Sequence, residues 1–293
     1  MQDRLGFIGL GMMGSPMAKR LLKVGSQLSV HNRTQQKADD LIAQGARWCL
    51  TPADVAAQSD IVFSMLANPD VLRETALGQH GIIEGLRPNC VHVDTSTVSP
   101  AVIRELAQQY KARGCHFIHA PVLGSVPQAA DGTLLIFAGG ELKAYQKVEP
   151  ALKALARQIW RFEHPEQATH LKLVCNLFIA GMITTLGQAL LFAERADVDR
   201  QTVLDVISQS HVTSPMYQTK GKAILEDNFA PRFYLDHMLK DINLMLDAAR
   251  DVGAPLPAIQ VTQQLFVEAQ QAGHGREDYS AMVKALQARG GKK

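Results

Sequence analysis

The sequence has few cysteines, and none of them forms a close pair. Its 293 residues include only four, Cys49, Cys90, Cys115 and Cys175, and no two of these make a CxxC motif. Cysteines spaced this far apart argue against a disulfide framework, and the missing CxxC motif argues against a zinc site. We therefore expect no metal in the functional site.

Charge of one sign and long hydrophobic runs are also lacking. Lys and Arg number 30 and Asp and Glu number 28, which gives a formal net charge of +2. No block of like charge stands out, so nothing in the composition supports nucleic-acid binding. The longest apolar stretch, residues 173–193, is interrupted by an asparagine, two threonines and a glutamine. This interruption favours a buried helix over a membrane span.

The first residues, Met-Gln-Asp-Arg, lead directly into a predicted strand. No basic segment followed by a long apolar core is present, so a signal peptide is not expected. Together these features predict a soluble, cytoplasmic protein with no membrane partner.

The first 160 residues alternate short apolar runs with helical patterns. Seven runs predict strands, at 5–10, 27–31, 61–66, 90–94, 116–120, 134–138 and 159–162. Six segments between them predict helices, at 15–24, 35–44, 52–58, 69–77, 100–113 and 141–156. Strands separated by helices of this length indicate a mostly parallel sheet. Gly25 and Gly45 are expected to end the first two helices, and Thr51 to cap the helix that begins at Pro52.

After about residue 165 the strand signal disappears. Helical patterns follow at roughly 169–195, 200–209, 215–226, 235–253, 257–272 and 277–288, with Asp199 and Asp278 as expected caps. This change of pattern marks a domain boundary near residues 163–167. The sequence therefore predicts an α/β domain over residues 1–164 and an all-helical domain over residues 165–293.

A glycine-rich turn follows the first predicted strand. The residues Gly9-Leu10-Gly11-Met12-Met13-Gly14 match GxGxxG and open the first predicted helix. The first glycine of this motif permits a tight turn, the second lets the backbone approach a pyrophosphate, and the third lets helix pack on strand. The pyrophosphate then lies at the positive end of the helix. A glycine-rich turn without a ligand is the alternative, but the strand–turn–helix context favours a dinucleotide-binding Rossmann domain.

The end of the second predicted strand indicates which dinucleotide binds. The chain reads His31-Asn32-Arg33-Thr34 where an NAD enzyme usually places a carboxylate for the ribose 2′-hydroxyl. Arg33 is instead placed to meet a 2′-phosphate, which a guanidinium binds through two hydrogen bonds. For Arg33 the alternative is a solvated surface position. Thr34 adds a hydroxyl to the phosphate site, caps the next helix, or does both. NADP is therefore the expected cofactor.

Two pairs of polar residues in the helical half carry candidate chemistry. Lys172 and Asn176 are four residues apart, so they share one face of a helix whose other residues are apolar. A lysine facing inward there is costly without a partner or a catalytic role, whereas a lysine that extends its amine to water is the alternative. Lys240 and Asp241 by themselves indicate an exposed, charged helix face.

These segments together resemble the β-hydroxyacid dehydrogenase family, which includes 3-hydroxyisobutyrate dehydrogenases, tartronate semialdehyde reductases and glyoxylate/succinic semialdehyde reductases. Four signatures occur in order along nearly the whole chain. They are residues 7–18 for the cofactor fingerprint, 94–97 with 119–125 and 131–134 for the substrate stretch, Lys172 to Asn176 for KxxxN, and 233–241 for the segment closing over the nicotinamide. Residues 32–34 and 233–241 are most similar to the glyoxylate/succinic semialdehyde reductase branch.

The resemblance implies a Rossmann domain followed by an all-α domain, joined by one long helix. It also implies hydride transfer between C4 of a nicotinamide and a carbonyl carbon. Lys172 would act as the general acid or base at the substrate oxygen, and Asn176 would orient Lys172 and the substrate. The substrate contacts would be Ser96, Leu123, Gly124 and Ser125.

The cofactor site implied by the same resemblance draws on both halves of the chain. Thr97 and Lys240 would contact the nicotinamide end, and Asp241 would hold Lys240 or the neighbouring loop. The full expected set is Gly9, Leu10, Gly11, Met12, Met13, Gly14, Asn32, Arg33, Thr34, Met65, Leu66, Thr97, Lys240 and Asp241.

Three departures from the family pattern alter the expected substrate pocket. His119 stands where the family has Asp or Glu, and the usual glycines before the catalytic lysine are missing. Leu123 replaces a serine that helps to anchor the substrate carboxylate, which leaves the Gly124 N–H and the Ser125 hydroxyl as donors. The Lys172 chemistry is expected to remain.

The leading hypothesis is an NADPH-dependent reductase of a small aldehyde or semialdehyde acid of the glyoxylate or succinic semialdehyde type. One alternative is an NAD(P)-dependent 3-hydroxyacid dehydrogenase of the 3-hydroxyisobutyrate or tartronate semialdehyde type, working in the oxidative direction. Another is a catalytically silent binding module, but such relatives lack the lysine that this chain retains. The apolar surface of the helical half and the resemblance both predict a homodimer or homotetramer.

Overall fold

The structure is a computed structural model that describes residues 3–290. The chain forms two compact units, one extending to Lys172 and the other starting at Leu173. Each unit has a hydrophobic core of its own. The domain boundary expected after residue 164 stays a prediction.

Residues 3–290 contain a nine-stranded sheet, which lies in the first unit. The strands are β1 (Leu5–Ile8), β2 (Leu28–His31), β3 (Arg47–Trp48), β4 (Ile61–Ser64), β5 (Val91–Asp94), β6 (His116–His119), β7 (Val122–Leu123), β8 (Leu134–Gly139) and β9 (Ala156–Phe162). Their order is β3-β2-β1-β4-β5-β6-β8-β7, and β9 pairs with β8. Strands β1 to β6 are parallel, whereas β8 runs antiparallel to β6 and β7. The predicted mostly parallel sheet is confirmed.

Helices cover the two faces of this sheet. They are α1 (Gly14–Lys23), α2 (Asp39–Ala43), α3 (Pro52–Gln58), α4 (Pro69–Leu77), α5 (Ile82–Gly85), α6 (Pro100–Ala112), α7 (Val126–Asp131) and α8 (Leu142–Leu155). Side chains alternate between the faces along each strand. Phe7 and Phe63 thus join one core cluster, while Ile8 and Val62 join the other.

The predicted turn chemistry is largely confirmed. Gly25 and Gly45 have φ angles of +89° and +99° after the first two helical segments. The Thr51 hydroxyl accepts from the Asp54 N–H at 3.1 Å, and the Asp54 carboxylate accepts from the Thr51 N–H at 3.0 Å. Thr34 is the exception, because it stands at an N-cap position but its side chain makes no capping hydrogen bond. The helix expected at 35–44 is a 3-10 turn, Gln35–Ala38, followed by the short α2.

The second unit is helical, as predicted. Its helices are α9 (Pro165–Arg195), which starts in the first unit, α10 (Arg200–Gln209), α11 (Pro215–Leu225), α12 (Leu235–Asp251), α13 (Pro257–Ala269) and α14 (Val283–Gly290). A π-turn at Gln270–His274 and a 3-10 turn at Tyr279–Met282 precede α14, so the segment expected at 277–288 is not one helix. Asp199 and Asp278 cap as predicted, accepting from the Thr202 and Ser280 N–H groups.

Helix α9 is longer than the pattern indicated, because it begins at Pro165 rather than near residue 169. The Gln167 side chain accepts from the His164 N–H at 3.1 Å and so caps the added turn. By length and composition alone, this helix is able to cross a membrane. Its residues Ile183 and Leu186 lie in the core of the helical unit, as in the core helix of a soluble protein.

Candidate active site

In the glycine-rich turn between β1 and α1, each of the three glycines is needed for a different structural reason. Gly9 has a φ angle of +94°, and a Cβ there would collide with the Met65 carbonyl and lie 2.9 Å from Leu66 Cδ2. A Cβ at Gly14 would overlap the Gly9 carbonyl oxygen, so this position needs glycine for helix–strand packing. A Cβ at Gly11 would meet nothing within 4 Å. The backbone at Gly11 is therefore open to a ligand.

The helix that this turn opens is suited to an anion. Met12 and Met13 complete the turn, and Met13 is the N-cap of α1 without a side-chain capping bond. The N–H groups at such a helix end, together with its positive dipole, form a phosphate-binding site. The residues present therefore fit the pyrophosphate of a dinucleotide.

Asn32 fixes the chain beyond β2 to the glycine-rich turn. Its Oδ1 accepts from the Leu10 N–H at 2.9 Å, and its Nδ2 donates to the Thr34 carbonyl at 2.9 Å. Arg33 and Thr34 are exposed beside this clamp. The structure thus gives Asn32 a positioning role and leaves the Arg33 guanidinium and the Thr34 hydroxyl at the surface.

A buried carboxylate links the loops that follow β4 and β5. Asp94 Oδ1 accepts from the Ser64 and Ser96 hydroxyls, each at 2.7 Å. Asp94 Oδ2 lies 3.1 Å from His119 Nδ1, and both side chains are 0% exposed. The Leu66 N–H donates to the Ser96 hydroxyl at 2.8 Å. The Ser96 side chain, which was expected to contact substrate, is therefore fully engaged in this network, which we call the Asp94 network (Ser64, Leu66, Asp94, Ser96 and His119).

The proton arrangement around Asp94 follows from these contacts. Ser64 has one hydroxyl hydrogen, which it donates to Asp94, so the 2.8 Å contact with His92 Nε2 requires His92 to donate. Burial lowers the pKa of His92 to about 4, which keeps the ring neutral. Burial alone would raise the pKa of Asp94, but His119, His92 and the Ser64 hydroxyl together lower it. Asp94 is therefore a buried, ionised acceptor.

The loop after β7 carries the expected substrate donors. Gly124 is exposed and has a φ angle of +146°, which favours glycine. The Ser125 N–H donates to Gln128 Oε1 at 3.0 Å. The Ser125 hydroxyl oxygen is buried and has no hydrogen-bond partner within the described chain. Leu123, at the end of β7, is partly buried.

In the helical unit, Asp241 joins α9 to α12. Asn176 Nδ2 donates to Asp241 Oδ2 at 2.7 Å, and Lys240 Nζ lies 2.9 Å from Asp241 Oδ1. Asn176 and Asp241 are 2% and 1% exposed. Lys172, one turn before Asn176 on α9, is 8% exposed, which speaks against an amine extended into water. Asp241 thus holds Lys240, which is one of the two arrangements that the resemblance implied, and the exposed charged face expected from the residues alone is wrong for the buried Asp241.

Sequence reasoning missed a second buried pair that fixes the segment before α12. Lys220 Nζ lies 2.7 Å from Asp278 Oδ1 and 4.4 Å from the centre of the Tyr279 ring. Asp278 Oδ2 accepts from the Arg232 N–H at 3.1 Å. Phe233, the next residue, packs edge-on against Tyr279. The buried lysine gave no sequence signal, because α11 is otherwise mixed in polarity.

Within the first unit, the structure brings the glycine-rich turn, Asn32, Leu66 and Ser96 to the carboxyl ends of neighbouring parallel strands, and Thr97 follows partly exposed. This edge of a Rossmann sheet, where the strand order reverses beside β1, binds dinucleotides. Within the second unit, the structure brings together Asn176, Lys240 and Asp241.

Comparison with known proteins agrees with both units. A family described as the NAD binding domain of 6-phosphogluconate dehydrogenase matches residues 4–164, and one described as NAD-binding of NADP-dependent 3-hydroxyisobutyrate dehydrogenase matches residues 167–286. The chain is 34% identical over 97% of its length to the glyoxylate/succinic semialdehyde reductase 2, chloroplastic, of Arabidopsis thaliana, and covers 79% of that protein.

Two further relatives show the range of similar proteins. The chain is 33% identical over 96% of its length to the cytokine-like nuclear factor N-PAC of Xenopus tropicalis, of which it spans only about half, 53%. The solved 3-hydroxyisobutyrate dehydrogenase of Mycobacterium tuberculosis with L-serine superposes with a TM-score of 0.89 at 25% identity, covering 98% of this chain and 100% of that one.

The fold, the glycine-rich turn and these matches together define an NAD(P)-dependent oxidoreductase that acts on hydroxyl or carbonyl groups. The chain belongs to the β-hydroxyacid dehydrogenase family.

Proposed function

We propose that the protein is an NADPH-dependent reductase that transfers a hydride to the carbonyl carbon of a small aldehyde or semialdehyde acid, of the glyoxylate or succinic semialdehyde type. The observation that carries the cofactor choice is the end of β2. No carboxylate stands there, and the Asn32 side chain is occupied by Leu10 and Thr34. A 2′-phosphate would meet the exposed Arg33 guanidinium without a repelling charge.

The substrate class is supported by the named relatives and by the loop after β7. The plant relative is named a glyoxylate/succinic semialdehyde reductase. The exposed Gly124 backbone, with Ser125 next to it, suits a carboxylate oxygen. Leu123 provides no such donor, so we expect the pocket to hold the acid less firmly than a pocket with serine at that position.

Lys172 is the proposed general acid. When bound, NADPH supplies the hydride, which forms the new C–H bond while the carbonyl π electrons move to oxygen. Lys172 donates a proton to that oxygen, and the products are an alcohol and NADP⁺. An ammonium group also stabilises the negative charge that develops on the oxygen. Asn176, held by Asp241, presents its amide from the same face of α9.

A second candidate is the reverse reaction, an NAD(P)-dependent oxidation of a 3-hydroxyacid. The close superposition with a 3-hydroxyisobutyrate dehydrogenase favours it. In that direction Lys172 withdraws the alcohol proton as the hydride leaves. The two candidates share one site and differ in the preferred direction and substrate.

We also propose a homodimer or homotetramer in which α9 packs against a second copy. Val174, Phe178 and Phe192 are 48%, 63% and 76% exposed, and they lie four and fourteen residues apart. Residues spaced by four and by two heptads fall on one stripe of a helix. A stripe of large apolar side chains is a surface that a twofold-related copy would cover.

The proposed location is the cytoplasm. Cys49, Cys90 and Cys115 are buried thiols, and burial raises the pKa of Cys49 and of Cys115. Buried cysteines that remain free thiols are typical of proteins in a reducing compartment.

The direct test is steady-state oxidation of NADPH and of NADH against glyoxylate, succinic semialdehyde and an uncharged short aldehyde. We expect turnover with NADPH and a higher KM for NADH. The reverse assay offers 3-hydroxyacids with NADP⁺. Turnover only in that assay would favour the second candidate, and turnover in neither direction would contradict both.

A further inference from the structure

Three adjacent strands end in one cluster of buried polar side chains at the cofactor edge of the sheet. Ser64 ends β4, Asp94 ends β5 and His119 ends β6. The Asp94 carboxylate has the Ser64 and Ser96 hydroxyls on one oxygen and the His119 ring on the other. All of these side chains are 0% exposed. A buried carboxylate is costly unless donors surround it, so this arrangement holds its three partners firmly.

The network reaches the cofactor turn through two short links. Ser96 accepts the Leu66 N–H while it donates to Asp94, so the loop after β4 is tied to the loop after β5. The Leu66 side chain in turn lies where any Cβ at Gly9 would meet it, at 2.9 Å. Thr97, the expected nicotinamide contact, is the residue after Ser96. A shift of Asp94 would therefore displace both loops that border the glycine-rich turn.

We infer that Asp94 is a positioning residue for the nicotinamide side of the dinucleotide site and that the His119 ring, 3.1 Å from Asp94 Oδ2, supports it there. This inference is built on the proposed function, because it assumes that a nicotinamide dinucleotide lies along this edge. By its resemblance to the family, the chain would be expected to have a carboxylate at the position of His119. Two carboxylates in this buried position would repel each other, and one of them would take up a proton. The His119 ring instead allows Asp94 to stay ionised and to accept two hydroxyl hydrogen bonds.

The test compares His119→Leu, which removes the polar ring beside Asp94 Oδ2, with His119→Asn, which keeps a polar donor at that position. Tyr110→Phe is the matched control. Tyr110 is equally buried and packs on His92 at 5.3 Å between ring centres, but its hydroxyl has no hydrogen-bond partner within residues 3–290. NADPH affinity is measured by fluorescence titration, and kcat and KM by NADPH oxidation, well below each variant's Tm.

We expect His119→Leu to weaken NADPH binding about 10-fold and to lower kcat, because one oxygen of the buried Asp94 carboxylate loses the polar group beside it. His119→Asn should restore most of the affinity, and Tyr110→Phe should leave it unchanged. A purely structural role would lower the Tm of His119→Leu but leave its NADPH affinity and kcat intact, and that result would overturn the inference. If His119→Leu does not fold, Ser64→Ala removes a single donor to Asp94 and takes its place, with the same expected and contradicting results.

The pH dependence of NADPH binding is a second measurement, and a change in packing alone would not alter it. The titratable groups facing Asp94 are His119 from β6, His92 on β5 and Tyr110 from α6. Without His119, burial raises the pKa of Asp94, so NADPH binding to His119→Leu should weaken as the pH falls. The wild type should keep its NADPH affinity to a lower pH than His119→Leu does. Parallel profiles would contradict the inference, whereas a wild type that binds neither NADPH nor NADH would overturn the proposed function itself.

Discussion

Asn176 on α9 donates a 2.7 Å hydrogen bond to Asp241 on α12, and Asp241 also holds Lys240 at 2.9 Å. One buried carboxylate thus sets the position of two residues that were assigned to the active site from the sequence. Because Asp241 is 1% exposed, its removal would leave the Asn176 amide buried without this acceptor.

Replacing Asp241 with Ala should lower the free energy of unfolding by about 3 kcal/mol, since it leaves a buried amide and a partly buried lysine without their acceptor. Urea denaturation measures the change. Asp247→Ala is the matched control on the same helix, because the Asp247 side chain is 65% exposed and its ion pair with Arg250 lies at the surface. Equal effects of the two changes would contradict the role given to Asp241.

Arg33→Ala should raise the KM for NADPH by about 10- to 100-fold, because it removes charge-assisted hydrogen bonds to the 2′-phosphate. The KM for NADH should stay nearly constant, since NADH has no such phosphate. Lys23→Ala, which removes an exposed charge at the other end of α1, should change neither value. A wild type that prefers NADH would refute the interpretation of residues 32–34.

Leu123→Ser should raise kcat/KM for glyoxylate or succinic semialdehyde by one to two decades, because a hydrogen bond to a charged group contributes about 1.5–3 kcal/mol. An uncharged aldehyde should gain nothing from the same change and serves as the control substrate. If the wild type already handles the acids efficiently and Leu123→Ser impairs it, then Leu123 does not face the carboxylate.

The wild type should have a dimeric or tetrameric mass by light scattering at micromolar concentration. Replacing both Phe178 and Phe192 with Glu should give a monomer, because it places charges on the apolar stripe of α9. Val252, which is 64% exposed and lies beyond α12, offers the control Val252→Glu, which should not alter the mass. A monomeric wild type would contradict the proposed assembly.

The fold was predictable because its signals are local. Apolar runs, helical spacing and the GxGxxG turn lie within a few residues of each other, and they gave the parallel sheet and the helical second half. Strands β3 and β7 were missed because each has only two residues. Helix α9 was predicted too short because its cap is a glutamine side chain that bonds back to His164.

The sequence pattern names candidate site residues but does not give the contacts that their side chains make. Asn32 was assigned to the cofactor, yet its side chain clamps the Leu10 N–H, which lies 22 residues away in sequence. Asp94 accepts a hydrogen bond from Ser64, which is 30 residues away in sequence, and lies beside His119 of the next strand. Hydrogen bonds between strands depend on sheet register, which no linear pattern contains. The Ser96 hydroxyl therefore looked like a substrate contact and proved to be part of the Asp94 network.

We propose that Lys172 donates the proton during NADPH-dependent reduction of an aldehyde acid. The most direct measurement is NADPH oxidation by wild type and Lys172→Ala under saturating succinic semialdehyde or glyoxylate, with NADPH affinity measured in parallel. We expect kcat to fall by roughly 10²–10⁴-fold while NADPH affinity is retained. Near-normal turnover by Lys172→Ala would show that this lysine is not the proton donor.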